Sequence, residues 1–244
     1  MPQTPCQRHR ARILAAQQAA QAAAADPHGP MQGAEHELML AQLHAHLRTL
    51  KAIQSVEKKI EAKRTMLADF DNYLDGVLEA DAGAQDPVVT TLLVWHLDVG
   101  NWRQGLQLAG YCLRHGLQLP DQYQRNLPTL LLDDISEAAI AGKLSGTDAM
   151  VALAQVDDLT KDHDTHDQAR AKLHKAIGWA AMGKTATHDV DAKQLQREQV
   201  AIALPQLQRA IALHVQIGVK KDVERLERRW KELQAQAPAD QAPD

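Results

Sequence analysis

Apolar residues recur every three or four positions along most of this chain and almost nowhere in strict alternation. That spacing follows one face of a helix, with its period of about 3.6 residues, and not a pleated strand. The longest run is Leu40, Leu43, Leu47, Leu50, Ile53, Val56, Ile60, Leu67, Phe70, Leu74 and Val77. It predicts one long amphipathic helix within 35–80, reaching about 65 Å if unbroken. The stripe needs a partner, either another helix of the chain or a second copy in a coiled coil. Lys63 interrupts it, and Asp69, Asp71 and Asn72 predict a kink.

Shorter helices follow, set off by capping residues. Asp86-Pro87 is a helix start: the carboxylate caps free amides and proline suits the first turn. Gly100-Asn101 stops that helix, a second follows, and Gly116 ends it before Pro120. Residues 81–156 thus read as a helical hairpin core, with a further helix over Thr129–Ala141 and a short one from Thr147. DDLTKDHDTHD (157–167) reads as a polar connector. Residues 157–234 then give a C-terminal hairpin: a helix over 170–183, an insertion at 186–198, and a return helix over 204–217 that Pro205 starts or kinks. Gly178 on its apolar face makes this pair partly tetratricopeptide-like. A last basic helix spans 218–233, with Val219, Val223, Leu226, Trp230 and Leu233 at a/d spacing. Residues 1–34 begin with helix formers but break at DPHGPMQG, and read as a mobile basic arm. Residues 235–244 have the composition of a disordered tail. The fold class is all-α.

Composition agrees. Aromatics make up 3% of the 244 residues and Ala, Leu and Gln dominate, which disfavours strands. Cys6 and Cys112 form no CxxC pair, so a reducing compartment fits. No apolar run is long enough for a bilayer, and the first residues lack the core of a secretory signal. The net charge of −4 is unevenly spread: residues 81–170 hold thirteen acids and six bases, residues 171–234 twelve bases and seven acids. That excludes a histone-like polycation but leaves local basic faces.

Candidate chemistry is sparse. GWAAMGKT (178–185) matches the phosphate-loop string G-x-x-x-x-G-K-[ST], but it follows helical residues instead of a strand, so a helix ending at Gly183 is the better reading and ATPase activity is not expected. Asp157, Asp158, Asp162, His163, Asp164, His166 and Asp167 form a dense acid/His cluster, and Asp133, Asp134 and Glu137 a smaller one. Either could serve a metal-dependent nuclease using Mg²⁺, although neither has the spacing of a defined metal loop. No metal site or other cofactor is otherwise indicated. Basic residues able to meet phosphates fall in three groups: Arg8, Arg10 and Arg12 on the arm; Arg48, Lys51, Lys58, Lys59, Lys63 and Arg64 on the long helix; and Lys220, Lys221, Arg225, Arg228, Arg229 and Lys231 on the last helix.

Four blocks in order resemble the small terminase subunit of peduovirus-type tailed phages: LKAI (50–53), GVLEADAGAQDPVVTTLLVWHLDVGNWRQGLQLAGYCLRHGLQLP (76–120), RAKLHKAIG (170–178) and LQRAIALHVQIGVKKDVERLER (207–228). The resemblance implies a genome-packaging protein of the bacterial host cytoplasm. With a large terminase subunit carrying the ATPase and nuclease, it recognises the cohesive-end region of double-stranded DNA and helps cut and load it. It also implies a homo-oligomer with no membrane association. The family is often described as the endonuclease subunit, which keeps a DNA-cutting role as one alternative. A helical protein-interaction module without DNA binding is the other.

Overall fold

The computed structural model describes residues 4–26, 29–121 and 125–236. Among them are eleven α-helices, one 3₁₀ turn and no strand, so the chain is all-α. It divides into two compact units, Met1–Leu127 and Pro128–Asp244. This differs from the segments expected above: the hairpin core predicted over 81–156 is cut between 127 and 128, inside the start of a helix.

In the first unit the helices are α1 (Pro5–Ala25), α2 (Ala34–Ala52), α3 (Val56–Leu67), α4 (Asp71–Ala80), α5 (Pro87–Asp98) and α6 (Trp102–His115). Two expectations are corrected here. The single long helix is three. Its first break falls where Ile53 turns extended and Ser55 caps the next helix, its side chain accepting from the Lys58 amide. Its second falls at the turn that buries Phe70, close to the expected kink. With two breaks, the apolar stripe folds onto its own unit, where Met39, Leu43, Leu50, Leu67, Leu74 and Val77 are buried.

Nor is the N-terminal segment a mobile arm. Thr4 and Gln7 form a capping box and Pro5 sits in the first turn, so α1 starts with its free amides satisfied. Ala15 and Ala19 are buried, and Gly76 of α4 lies so close that an added Cβ would overlap the Arg12 carbonyl oxygen. Arg12 closes the contact on Glu79 at 2.8 Å. After α1 the backbone pairs with the approach to α5, Met31 N–H donating to Gln85 O and Gln85 N–H to Gly29 O.

The hairpin α5–α6 forms the centre of this unit. Asp86 accepts from the Val88 and Val89 amides, as its place before Pro87 predicts. Gly100 takes a left-handed turn (φ +80) and Gly116 the left-handed C-cap of α6. Every residue from Val88 to Leu97 is buried, Trp95 among them.

The second unit holds α7 (Leu127–Ile140), α8 (Gly146–Thr160), α9 (Asp167–Met182), the 3₁₀ turn Ala192–Gln194, α10 (Arg197–Leu213) and α11 (Lys220–Ala235). Helix α8 is longer than predicted and absorbs the first four residues of the expected connector. Antiparallel α9 and α10 pack tightly, with Gly178 against Leu207 and the Ala203 carbonyl. No tetratricopeptide array is established by this one close approach. Pro205 neither starts nor ends α10: it lies exposed inside it, while Gln196 and Gln199 form the capping box that sets the true start. Of the tail expected to be disordered over 235–244, Ala235 is the last residue of α11 and Gln236 its C-cap, while 237–244 lie outside the described residues.

Candidate nucleic-acid interface

Helix α11 is strongly two-sided. Val219, Val223 and Leu226 are buried, with Trp230 and Leu233 packed beside them in a core shared with Val200, Ala203 and Leu207 of α10. The a/d spacing read from the sequence is this buried face. At about 100° per residue, Lys221, Arg225 and Arg228 fall within about 60° of arc on the opposite side. All three are exposed. Lys220 is exposed on a flank, beside Glu224 and Glu227.

Facing this ridge is the connector between α9 and α10. Thr185 and Ala186 anchor its start, Thr185 N–H on the His188 carbonyl and Ala186 N–H on Ile140 of α7. Asp191 caps the 3₁₀ turn by accepting from the Lys193 amide. Two clefts open between connector and ridge. One, of about 510 Å³, is lined by Asp189, Asp191, Lys193, Arg225, Arg228 and Arg229, among others. The second, of about 760 Å³, includes Lys184, Asp189, Lys220, Lys221 and Arg225.

Two of these cations are anchored by partners within the protein. Arg229 donates from Nε and Nη2 to the Leu195 carbonyl, bracing α11 against the connector. Lys184 lies over the Trp179 ring and donates to buried Asp222 at 2.7 Å, while Trp179 Nε1 donates to the other Asp222 oxygen at 3.0 Å. This fixes the meaning of the phosphate-loop string: Gly178 is mid-helix, and Gly183 is a left-handed C-cap. The amides of Gly183 and Lys184 donate to Ala180 and Trp179 carbonyls, so they are not turned toward a phosphate.

The first unit treats its basic residues differently. Arg8 and Arg10 are exposed on nearly opposite sides of α1, and Arg12 is paired with Glu79. On α3, Lys63 forms an ion pair with Asp98 and lies over the Trp95 ring, while Arg64 donates to the Val99 carbonyl. Both dock α3 on the end of α5. Arg48, Lys51 and Lys58 are exposed and Lys59 half-buried, but Lys58 and Lys59 diverge by about 100° and Glu57 and Glu61 stand beside them. The basic stretch 48–64 is therefore not one surface.

The acidic clusters are similarly dispersed. Asp133 accepts from Lys172 at 2.6 Å, Asp157 from Arg170 at 3.2 Å and Asp158 from Lys161 at 2.7 Å. His166 and Asp167 begin α9. Among the described residues, no three His, Cys, Asp or Glu side chains converge as a metal ion would require.

The densest polar cluster lies in the core of the first unit. Tyr73 O–H donates to Asp86 Oδ2 at 2.5 Å, His36 Nδ1 is 2.9 Å from the Tyr73 oxygen, and Asp86 Oδ1 holds the Val88 amide at 2.8 Å. Burial pushes the Asp86 carboxyl upward, against the opposing pull of His36, Tyr73 and the two amides. All three side chains are buried, so the cluster joins α2, α4 and α5.

Residues 40–168, more than half of the chain, match the family model described as phage small terminase subunit. The chain is also 37% identical over 230 residues to the terminase, endonuclease subunit of Escherichia phage P2, covering 93% of this chain and 86% of that protein. The chain belongs to the phage small terminase subunit family. No solved structure matches it. In this small terminase subunit the matched region runs from within α2 to the start of α9, so it takes in the Asp86-capped hairpin and stops short of the α11 ridge. Among the described residues no helix is long and apolar enough to cross a membrane.

Three residues that line the clefts beside the ridge were not read from the sequence as partners of α11: Asp189, Lys193 and Lys184, the last considered only within the phosphate-loop string. Each lies 28 or more residues from the α11 cations it faces, and pairing across such a separation leaves no local pattern.

Proposed function

We propose that this small terminase subunit binds double-stranded DNA at the cohesive-end packaging site. There it acts with a large terminase subunit in cutting and packaging the phage genome, in the host cytoplasm and as a homo-oligomer. Family membership supports the process. The observation that carries DNA contact is the exposed ridge of Lys221, Arg225 and Arg228, opening on clefts that Lys193 and Lys220 also line. Phosphate contact needs positioned cations on a reachable surface, and only helical register puts these three on one. The Escherichia phage P2 relative is called an endonuclease subunit. In this chain Asp133, Asp157 and Asp158 lie in ion pairs, which supports the reading that the large subunit supplies the cutting chemistry.

A fluorescence-anisotropy titration of the full chain with a cohesive-end duplex tests the proposal. Affinity is expected to fall steeply as salt rises, because bound phosphates release their counterions. Binding that is absent at low salt, or indifferent to salt, would leave a protein-interaction module instead.

A further inference from the structure

We propose that the Asp189 carboxylate stands in for a DNA phosphate: it occupies the anion position between Arg225 and Lys184 and yields that position to the duplex. This rests on the DNA-binding reading above.

Asp189 comes from the connector, Lys184 from the residue after the α9 C-cap, and Arg225 from the second turn of α11. Its two oxygens divide between the cations, Oδ1 at 2.9 Å from Lys184 Nζ and Oδ2 at 3.2 Å from Arg225 Nη1. Two cations converging on a pair of carboxylate oxygens can equally receive two oxygens of a phosphate. The Asp189 side chain is 61% exposed, so a competing anion can reach it.

The cations stay in place without it. Lys184 keeps buried Asp222 and the Trp179 ring, and Arg225 is carried by a helix packed through Val223 and Leu226. Asp189 itself lies between the connector's two anchors, the 185–188 turn and the Asp191 cap. Movement there need not undo either. Both clefts include Asp189 and Arg225 in their walls, so a phosphodiester backbone running from one to the other crosses this ion pair. Lys184 and then Arg225 hold the Asp189 carboxyl down at about 2, so it stays an anion at every working pH and competes with DNA throughout. The exchange is of one anion for another, with no proton moved.

The test uses the full chain and a fluorescent duplex across a salt series, with melting temperature measured for each variant. Asp189→Asn is expected to tighten binding about fivefold at low salt and steepen the salt slope by up to about one, because Arg225 then carries a salt counterion to release. The gain should vanish in Asp189→Asn/Arg225→Gln. Asp189→Glu, which keeps the competing charge, should bind like the parent. Glu198→Gln, the same change of charge on the first turn of α10, should give a smaller gain. Equal affinity of Asp189→Asn and the parent, or equal gains from Asp189→Asn and either Asp189→Glu or Glu198→Gln, would overturn the proposal. Failure of the DNA-binding reading looks different: the parent chain itself would show no salt-dependent binding.

Discussion

Residues 48–64 and 220–231 read alike in the sequence, both helical, both rich in Lys and Arg, both with acids a turn away. Folded, they do different work. In the first stretch Ser55 divides the helix, Lys63 and Arg64 turn inward onto Asp98 and the Val99 carbonyl, and the remaining cations are split between two helices. In the second an unbroken helix packs its apolar face on the core through Val223 and Leu226, with Trp230 and Leu233 half-buried beside them, and that packing sets Lys221, Arg225 and Arg228 together on the other face. The number of cations does not separate the two stretches. An unbroken helix does, because only along one continuous helix does an apolar stripe fix a single rotation and hence which charges share a surface.

Both units bury a carboxylate, Asp86 in the first and Asp222 in the second. The first unit places its strongest polar groups inside, where they hold helices together. Its largest expected effect therefore comes from Asp86→Ala, which removes the α5 cap and strands the Tyr73 hydroxyl and His36 in the core. Loss of about 3–5 kcal/mol is expected in urea unfolding, as for a broken buried charged network. A loss under about 1 kcal/mol would show that the cluster is not what joins α2, α4 and α5.

A somewhat smaller effect should come from His96. Asn101 Nδ2 donates to its Nδ1 at 3.1 Å, so Nε2 carries the proton, and that nitrogen is buried with no hydrogen-bond partner among the described residues. Burial lowers the imidazole from 6.5 to about 4. Above pH 6.5 it is neutral in both folded and unfolded chains. As pH falls, the unfolded chain takes up the proton first, so the stability present above 6.5 is lost down to about 4 and then levels off. The loss amounts to about 3 kcal/mol for a group this buried. Urea midpoints between pH 7 and 4 should decline more in the parent than in His96→Gln; parallel curves would count against it.

Most of the element order was legible from the chain. Asp86-Pro87, Gly100, Gly116 and Gly183 punctuate by local chemistry, and local chemistry acts the same way in a peptide and in a fold. The two misread regions turned on packing. An Ala-rich helix docks because Gly76 allows close approach, and Gly76 lies 51 residues beyond the end of the helix it admits. The 35–80 stripe kept its period across Ser55, so periodicity alone could not reveal a bend. Of the interface, the three ridge cations were visible among their neighbours, but their separation from Arg229 and Lys63 was not. Those two are removed by a backbone carbonyl and a carboxylate supplied from distant sequence.

The direct test of the account is a comparison of two triple variants of the full chain on the same duplex. Lys221→Gln/Arg225→Gln/Arg228→Gln should lower the salt slope of binding by about two to three and weaken affinity at least about tenfold at low salt. Lys58→Gln/Lys59→Gln/Lys63→Gln, the same loss of charge on α3, should leave the slope unchanged. Equal losses from the two would mean that the chain attracts DNA by net charge alone, and a loss confined to the α3 variant would place the interface on the other unit.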